Sequence, residues 1–391
     1  MRRDARLQRS LSGVGVIIAG ASLVTPNGVV SDGWIEVGGN RITALGTLPS
    51  PGRVDLDVGG GWIVPGFVDL HAHGGGGASV TGADPAQVAT FAATHLQHGT
   101  TSIVASLSSA GEAALDRDLR ALAELAEDGV IAGIHLEGPW LSPRRKGAHP
   151  ASALCVPEPA MVARLLSAGR GAIRMVTLAP ELEHGLDAVR AVADAGAIAA
   201  VGHTDADAGT TRAALEAGAT VATHLFNGMA PIHHREPGPI VPLLADDRVT
   251  VELVLDGIHL DPAIARHTLI SAGPDRIALV TDAMQAAGRG DGHYPRGDIG
   301  VTVRDGAARL PDGTLAGSAL TMDAAFRFAV TRAGFTVQDA VRATSTTPAR
   351  LLGISGRTGA LRPGLTADLV VLDAEYQVVA VMHEGDWVRA G

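Results

Sequence analysis

The feature that most constrains the fold of this chain is an alternation of apolar, strand-like runs with alanine-rich helical stretches, which begins at Trp62. Such an alternation is typical of parallel sheets, whose strands are connected by helices. The strand-like runs number eight, at residues 62–69, 101–107, 130–136, 172–178, 197–201, 220–223, 249–255 and 276–281. Helical stretches separate them, for example at residues 112–127, 157–168, 185–195, 206–217 and 262–271. Eight such units predict an α/β fold that closes into a (β/α)8 barrel of the TIM type.

The two ends of the chain have a different texture. Residues 14–61 contain short strand-like runs separated by turn signals, without helical periodicity, and strand character returns at residues 367–373 and 377–383. We therefore predict a small β-sandwich domain built from residues 1–61 and 358–391. The barrel is predicted to occupy residues 62–357, with a flap inserted near residues 288–317, where Gly, Asp and Pro are frequent. Helices are predicted at residues 321–333 and 337–352.

Composition limits the partners of the protein. Its 391 residues include 31 Lys and Arg against 41 Asp and Glu, a net charge of -10, and the basic residues form no long block, so no nucleic-acid partner is expected. The single cysteine, Cys155, excludes an intrachain disulfide and zinc clusters with two or more thiolates. This cysteine usage favours a cytoplasmic location.

The N-terminal segment allows two interpretations. Basic residues 1–9 precede an apolar run at residues 13–24, a pattern that a signal peptide also has. The run leads directly into a Thr25-Pro26-Asn27-Gly28 turn signal and a second strand-like run at residues 33–37, so we interpret it as the first strand of a hairpin. No other apolar stretch has the length and freedom from charge of a membrane span, and no membrane partner is expected.

Chemically reactive side chains follow the carboxyl ends of six predicted strands. In chain order they are Asp69, His71 and His73; His135 and Glu137; His203; His224; Asp256 and His259; and Asp282. In a (β/α)8 barrel these positions lie on one rim, where active sites form. Charged groups gathered there without a metal ion would be costly. The sequence therefore predicts a metal-dependent active site.

The residue types indicate what this site can do. Imidazole and carboxylate are ligands of divalent first-row metals, with zinc favoured here and iron, manganese or cobalt as alternatives. His71 and His73, two residues apart on an extended segment, point the same way and can reach one ion. Glu137, His203 and His224 can hold another ion, or the only one. A bound ion lowers the pKa of water toward about 7.

Two further residues have predicted catalytic roles. Asp282 is the expected proton carrier, which takes a proton from the attacking water and delivers it to the leaving nitrogen. His259 is expected to polarise the carbonyl oxygen of the substrate.

Longer motifs resemble a known family. The segment from Pro65 to Asp69 that precedes His71 and His73, together with the Asp after the eighth strand, resembles the amidohydrolase superfamily over nearly the whole chain. More specific matches resemble the N-acetylglucosamine-6-phosphate deacetylases. They are His135-Leu-Glu-Gly-Pro-Trp140, Lys146-Gly-Ala-His149, His224-Leu-Phe-Asn-Gly-Met229, Arg235-Glu-Pro-Gly238, Asp256-Gly-Ile-His259 and Leu315-Ala-Gly-Ser318.

This resemblance implies an activity and a set of site residues. The implied reaction is hydrolysis of N-acetyl-D-glucosamine 6-phosphate to D-glucosamine 6-phosphate and acetate, with Glu137, His203 and His224 on the main metal and Asp282 as acid and base. The implied substrate contacts are Ala148, His149, Asn227, Gly228, Arg235, His259, Leu315, Ala316 and Gly317. In that family the arginine matching Arg235 reaches the phosphate bound by the neighbouring subunit, which implies a homodimer. A planar guanidinium suits phosphate.

Several alternatives stay open at this point. Some relatives lack one or both histidines at the positions of His71 and His73 and use a single ion, whereas this chain keeps both, so one ion or two bridged by Glu137 are both compatible with the sequence. The substrate could be another acetamido sugar phosphate, such as N-acetylgalactosamine 6-phosphate. A dihydroorotase-like or aminoacylase-like enzyme is opposed by the Lys146 and Arg235 motifs, and a non-catalytic scaffold by the complete ligand set. The roles of His233, His234 and Cys155 are not assigned.

Overall fold

The computed structural model describes residues 15–296 and 299–390. The apolar runs form eight parallel strands that are hydrogen-bonded in chain order, and the sheet closes because Asp282 N donates to His71 O (2.8 Å) and Ala72 pairs with Ala283. This confirms the predicted (β/α)8 barrel. Its strands are Phe67–Ala72, Thr100–Leu107, Gly133–Glu137, Ile173–Leu178, Ile198–Val201, Ala219–Ala222, Thr250–Leu253 and Ile277–Leu279.

Helices connect consecutive barrel strands, and those predicted from the sequence lie within one or two residues of their expected bounds. Two of them begin at aspartates that satisfy free backbone N–H groups: Asp207 accepts from Thr210 N, and Asp261 accepts from Ala263 N ahead of a proline in the first turn. The connecting helices are Pro85–Gln97, Glu112–Glu127, Pro159–Ala168, Gly185–Asp194, Ala208–Glu216, Ile240–Ala245 and Pro262–Ala272. Short 3-10 turns lie at Pro143–Arg145, Ala151–Ala153 and Pro274–Arg276.

Strands from both ends of the chain form a second sheet, which we call the terminal sheet. In spatial order its strands are Asp386–Ala390, Val378–His383, Leu369–Leu372, Trp62–Pro65, Val16–Thr25, Gly28–Gly38 and Arg41–Thr47, and Leu56–Asp57 also pairs with Val16–Thr25. The hairpin predicted from residues 13–24 onward is present, although residues 1–14 lie outside the described part of the chain. The sheet encloses apolar side chains such as Ile18, Leu23 and Ile35.

One boundary prediction was wrong. The run at residues 62–69 was expected to be a single barrel strand, but Trp62–Pro65 pairs antiparallel with Leu369–Leu372 in the terminal sheet and only Phe67–Ala72 enters the barrel. Gly66 separates the two strands: its N–H still donates to Asp368 O (2.8 Å), which lies opposite it in the terminal sheet, whereas Phe67 N donates to Gly99 O (2.9 Å) ahead of the second barrel strand. A Cβ at this position would clash with the side chain of Thr101, so the bend requires glycine.

The predicted flap is a three-stranded antiparallel sheet of Gly292–Arg296, Ile299–Arg304 and Ala307–Arg309. A two-stranded pairing of Gly74–Gly75 with Ala78–Ser79 follows the first barrel strand. The C-terminal helices are Met322–Thr331, Val337–Val341 and Thr347–Leu351, and a π-helical turn, Arg342–Thr346, interrupts the continuous helix predicted at residues 337–352. None of the helices in the described ranges is long and apolar enough to span a membrane.

By its contacts the chain divides into two compact units. One comprises Asp69–Thr94 and Ile103–Thr321, and the other comprises the terminal segments with His95–Ser102. The domain limits given above, residues 1–61 with 358–391 and residues 62–357, remain predictions. Every candidate site residue lies in the first unit.

Candidate active site

The metal-ligating and proton-transferring side chains expected from the sequence lie together at the carboxyl ends of the barrel strands. They form two groups, and within each group the candidate ligand atoms lie within 4.8 Å of one another. We call them the first group (His71, His73 and Asp282) and the second group (Glu137, His203 and His224). His73 and Asp282 keep 15% and 13% of their side chains exposed, against 9% for His203, so the first group has the more exposed side chains.

The carboxylate of Glu137 contacts both groups. Its Oε1 lies 3.1 Å from the Nε2 atoms of His203 and His224, and its Oε2 lies 3.2 Å from Nε2 of His73. The imidazoles also approach one another, with 3.0 Å between the Nε2 atoms of His71 and His73 and 3.1 Å between those of His203 and His224. All of these atoms therefore converge on one small region.

The hydrogen bonds behind the imidazoles test whether this region fits a cation. Nδ1 of His73 lies 2.9 Å from Ser106 O, and Nδ1 of His203 lies 2.7 Å from Arg145 O. A carbonyl oxygen only accepts, so each Nδ1 carries a proton, and a neutral ring of this form, the form that binds a metal, presents its Nε2 lone pair toward Glu137. Lone pairs that face a carboxylate repel it unless a positive charge lies between them. The donor set therefore fits a divalent metal ion.

Burial and charge shift the protonation of this region. Burial raises the pKa of Glu137, but the neighbouring imidazoles of His71 and His149 outweigh it and hold that pKa well below its usual value. Burial lowers the pKa of His135 well below its usual value, and this neutral ring contacts Ser106 Oγ (3.0 Å) and Thr177 Oγ1 (2.8 Å). The region thus combines an ionised carboxylate with a neutral histidine beneath it.

The backbone at the strand ends is unusual. His203, His224 and Asp282 adopt positive φ angles of 46°, 28° and 46°, a left-handed conformation that costs free energy for residues other than glycine. Glycines allow the chain to pass close by: a Cβ on Gly228 would lie 2.8 Å from Nδ1 of His203, and one on Gly317 would lie 2.8 Å from Asp282 O. Strained turns thus aim these side chains at the rim.

A buried carboxyl also joins the first and last barrel strands below the rim. Burial raises the pKa of Asp69 to about 7, and its Oδ2 accepts a hydrogen bond from Thr281 Oγ1 at 2.6 Å. Its Oδ1 accepts from His71 N at 3.2 Å. This contact holds the segment of His71 against the segment that leads into Asp282.

His259 is paired with Asp256 after the seventh strand. Its Nδ1 lies 2.7 Å from Asp256 Oδ2, and Asp256 Oδ1 accepts from the backbone N–H groups of Ile258 and His259 at 2.8 Å each. Burial lowers the pKa of His259, but the Asp256 partner and the charge of Asp282 raise it above the usual histidine value. This arrangement favours a protonated ring that can donate from Nε2.

The expected substrate residues fall into distinct surroundings. His149 lies at the metal groups, with Nε2 3.2 Å from Glu137 Oε2 and Nδ1 2.9 Å from Ser109 Oγ. Ala148 and Ala316 pack in one apolar cluster with the flap strands. Asn227 turns its amide to the carbonyl oxygens of His224 and Leu225. Leu315 pairs with Arg309 at the edge of the flap.

Arg235 lies apart from these contacts. Its side chain is exposed, and its Nη1 lies 2.7 Å from Nε2 of the equally exposed His234. Cys155, also exposed, contacts Met161 through sulfur at 3.9 Å.

One functional candidate was missed by sequence reasoning. Glu252 is completely buried in the seventh barrel strand, and its Oε2 lies 3.4 Å from Nδ1 of His71. The available signal was an acidic residue in the apolar run at residues 249–255, which the prediction treated only as a strand.

Comparisons with known proteins identify the family of the chain. A model of the amidohydrolase family matches residues 62–388. The chain therefore belongs to the amidohydrolase family.

Several similar proteins are named as deacetylases of N-acetylated amino-sugar phosphates. The chain is 34% identical to the N-acetylglucosamine-6-phosphate deacetylase of Bacillus subtilis (strain 168), covering 95% of this chain and 96% of that protein. It is also 34% identical to the N-acetylgalactosamine-6-phosphate deacetylase of Escherichia coli O157:H7, covering 94% and 98%. A mutant N-acetyl-D-glucosamine-6-phosphate deacetylase from Mycobacterium smegmatis, solved in complex with N-acetyl-D-glucosamine-6-phosphate, matches with a TM-score of 0.94 and 45% identity, covering 97% and 100%.

Proposed function

We propose that this chain hydrolyses the acetamide of N-acetyl-D-glucosamine 6-phosphate, releasing acetate and D-glucosamine 6-phosphate. The observation that carries the proposal is the pair of ligand groups joined by Glu137 at the barrel rim, in a chain whose relatives are named for this reaction. In the reaction, water adds to the amide carbon, the carbon–nitrogen bond breaks, and the amine leaves with a proton.

The second group, Glu137, His203 and His224, would hold the main divalent ion, and His71 and His73 would hold a second one together with Asp282. A divalent ion in this position lowers the pKa of a bound water toward about 7 and so supplies the nucleophile at neutral pH. Zinc is our favoured ion because nitrogen and carboxylate ligands suit it, and iron, manganese and cobalt share this ligand preference.

Asp282 and His259 have the proton-handling roles. Asp282 accepts the proton of the attacking water and returns it to the leaving nitrogen, which a partly exposed carboxylate at the opening of the site can do. The ring of His259 acts in its protonated form. Its Nδ1–H is held by Asp256, and its Nε2–H donates to the carbonyl oxygen of the substrate and stabilises the negative charge that develops there.

The remaining residues would recognise the sugar phosphate. We assign substrate contacts to Ala148, His149, Asn227, Gly228, Arg235, His259, Leu315, Ala316 and Gly317. Arg235 is exposed and carries a planar guanidinium, which suits a phosphate bound by a neighbouring copy of the chain in a homodimer. We also place the enzyme in the cytoplasm, where its single thiol can stay reduced.

A second substrate has support of its own. The identity to the N-acetylgalactosamine-6-phosphate deacetylase of Escherichia coli equals that to the Bacillus subtilis enzyme, at 34%. The two substrates differ in the configuration of a single hydroxyl, and the same metal groups and Asp282 could act on both.

Rates of acetate release test the proposal. We expect kcat/KM to be highest for N-acetyl-D-glucosamine 6-phosphate, lower for the galacto isomer and lowest for unphosphorylated N-acetylglucosamine. A higher value for the galacto isomer would make N-acetyl-D-galactosamine 6-phosphate the preferred substrate. Equal values with and without the phosphate would contradict the sugar-phosphate assignment.

A further inference from the structure

Glu252 is a buried carboxylate for which the proposed reaction has no direct use. It lies in the seventh barrel strand, Thr250–Leu253, with no exposed surface. Burying a carboxylate is costly, and its Oε1 has no hydrogen-bond partner among the described residues. An apolar residue would fill this position in a barrel strand at lower cost, so the carboxylate calls for an explanation beyond packing.

The other carboxylate oxygen links the two metal groups. Oε2 accepts a hydrogen bond from the backbone N–H of His224 at 3.2 Å and lies 3.4 Å from Nδ1 of His71. The backbone oxygen of Glu252 also accepts from Leu225 N at 2.9 Å. Glu252 therefore supports the strained turn of His224 in the second group and contacts the ring of His71 in the first group.

The contact with His71 selects one form of its imidazole. A carboxylate oxygen only accepts, so it favours the ring that carries its proton on Nδ1. Nε2 of the neutral ring then has a free lone pair, and this atom lies 3.0 Å from Nε2 of His73 and 3.6 Å from Asp282 Oδ1. His73 receives the same orientation from Ser106 O and His203 from Arg145 O, so Glu252 supplies for His71 what carbonyl groups supply for those two residues.

We propose that Glu252 is a positioning residue that holds His71 with its Nδ1 protonated, so that the first group can bind its metal ion. The inference rests on the proposed metal-dependent function and deepens it, because it makes metal binding at the first group depend on one buried carboxylate oxygen of Glu252. Loss of such an outer partner lowers metal affinity by about 10–100-fold.

Zinc content of the full-length chain tests this proposal. Wild-type protein and three variants are stripped with a chelator and dialysed against buffered free zinc, and bound zinc per chain is measured over a range of free concentrations. Glu252→Leu removes the accepting oxygen, whereas Glu252→Gln keeps an oxygen that can accept from both N–H groups. The matched control is Asp118→Leu, which replaces a buried carboxylate that accepts from Gly82 N, outside both metal groups.

We expect two zinc ions per chain in the wild type and in Asp118→Leu. In Glu252→Leu the weaker of the two should bind about 10–100-fold less tightly, and the tighter one should lose less, because only a backbone N–H of His224 is left without its acceptor there. Glu252→Gln should lie between Glu252→Leu and the wild type. Unchanged binding of both ions in Glu252→Leu, equal losses in the Gln and Leu variants, or a wild type that takes up only one ion would each overturn the inference without touching the proposed reaction. A wild type that takes up no zinc would instead contradict the metal-dependent function itself.

A measurement on the unmodified protein remains decisive if the leucine variant does not fold. Long-range ¹⁵N–¹H correlation spectra of the zinc-loaded wild type report which nitrogen of each imidazole carries the proton. We expect the proton of His71 on Nδ1, and a His71 protonated on Nε2 would overturn the proposal.

Discussion

A histidine–aspartate pair occurs at the barrel rim and again in the terminal sheet. His259 Nδ1 lies 2.7 Å from Asp256 Oδ2 after the seventh barrel strand, and His383 Nδ1 lies 2.9 Å from Asp368 Oδ1 beside the C-terminal strands. The carboxylate raises the pKa of the histidine in both pairs. The contact by itself therefore does not distinguish a catalytic from a structural pair.

The surroundings of the two pairs differ. The barrel rim contains buried polar side chains that face one another, such as His71 and Glu137, and left-handed turns at non-glycine residues such as His224. The interior of the terminal sheet is apolar, although left-handed non-glycine residues occur beside its strands too, at Asp32, Tyr376 and Glu384. The barrel rim thus differs from the terminal sheet by its polar side chains buried against one another, which cost stability and are retained for function, and not by left-handed turns alone.

The largest expected effect comes from Asp282→Asn, which removes the proton carrier from the rim but preserves its size. We expect turnover to fall by about a hundredfold or more, because proton transfer contributes that much. The ion at Glu137, His203 and His224 should be retained, as measured by metal content. Turnover within a few-fold of the wild type would remove Asp282 from its acid and base role.

Arg235→Ala tests whether an exposed side chain outside the two buried metal groups contributes to substrate binding. Loss of a hydrogen bond to a charged phosphate should raise the KM for the phosphorylated sugar by about 10–100-fold. The value of kcat should change little, since the phosphate is remote from the scissile bond. Steady-state kinetics with the unphosphorylated sugar provide the control, and an unchanged KM for the phosphorylated sugar would remove the phosphate role.

The smallest expected effect comes from replacing the aspartate in each of the two histidine–aspartate pairs, which compares the pairs directly. The raised pKa of His259 keeps its ring protonated to higher pH, and kcat/KM should fall as pH rises through that pKa. Asp256→Asn lowers the pKa of His259, so the alkaline limb of the profile should move to lower pH. If the limb moves by about one pH unit, kcat/KM at a fixed alkaline pH should fall about tenfold.

Asp368→Asn is the matched variant in the terminal sheet. It should leave the kcat/KM profile in place and change stability instead. Because the pKa of His383 is raised by folding, its contribution to stability is fully present below about pH 6.5 and is lost as pH rises through the folded pKa. Removing Asp368 should therefore lower the unfolding temperature at acidic pH more than at alkaline pH. Equal displacements of the kcat/KM profile in both variants would abolish the distinction between the pairs.

Much of the architecture could be predicted because strands and helices leave periodic patterns. The barrel, the N-terminal hairpin and the C-terminal strands all followed from such patterns. The assignment of Trp62–Pro65 to the terminal sheet could not, because one apolar run serves two sheets and only the Pro65-Gly66 dipeptide marks the change. The local sequence of a strand does not determine which sheet the strand joins, because that depends on its tertiary neighbours.

The candidate site was predictable as far as side chains follow strand ends. The two ligand groups lie where the barrel rim places them, but Glu252 lies inside a strand, where a charged residue is ordinarily expected to face solvent. The distance between His149 and Glu137 was not predictable either, because it depends on the path of a loop. Contacts made by residues far apart in the chain require the folded structure.

Removal and restoration of metal tests the central claim most directly. The wild type is assayed for acetate release from N-acetyl-D-glucosamine 6-phosphate as purified, after chelation, and after addition of zinc, iron, manganese or cobalt. We expect release to be lost on chelation and restored by at least one ion, with no restoration in a His203→Ala variant that lacks a ligand of the second group. Full activity in the chelated protein, once its metal content is shown to be negligible, would contradict the account.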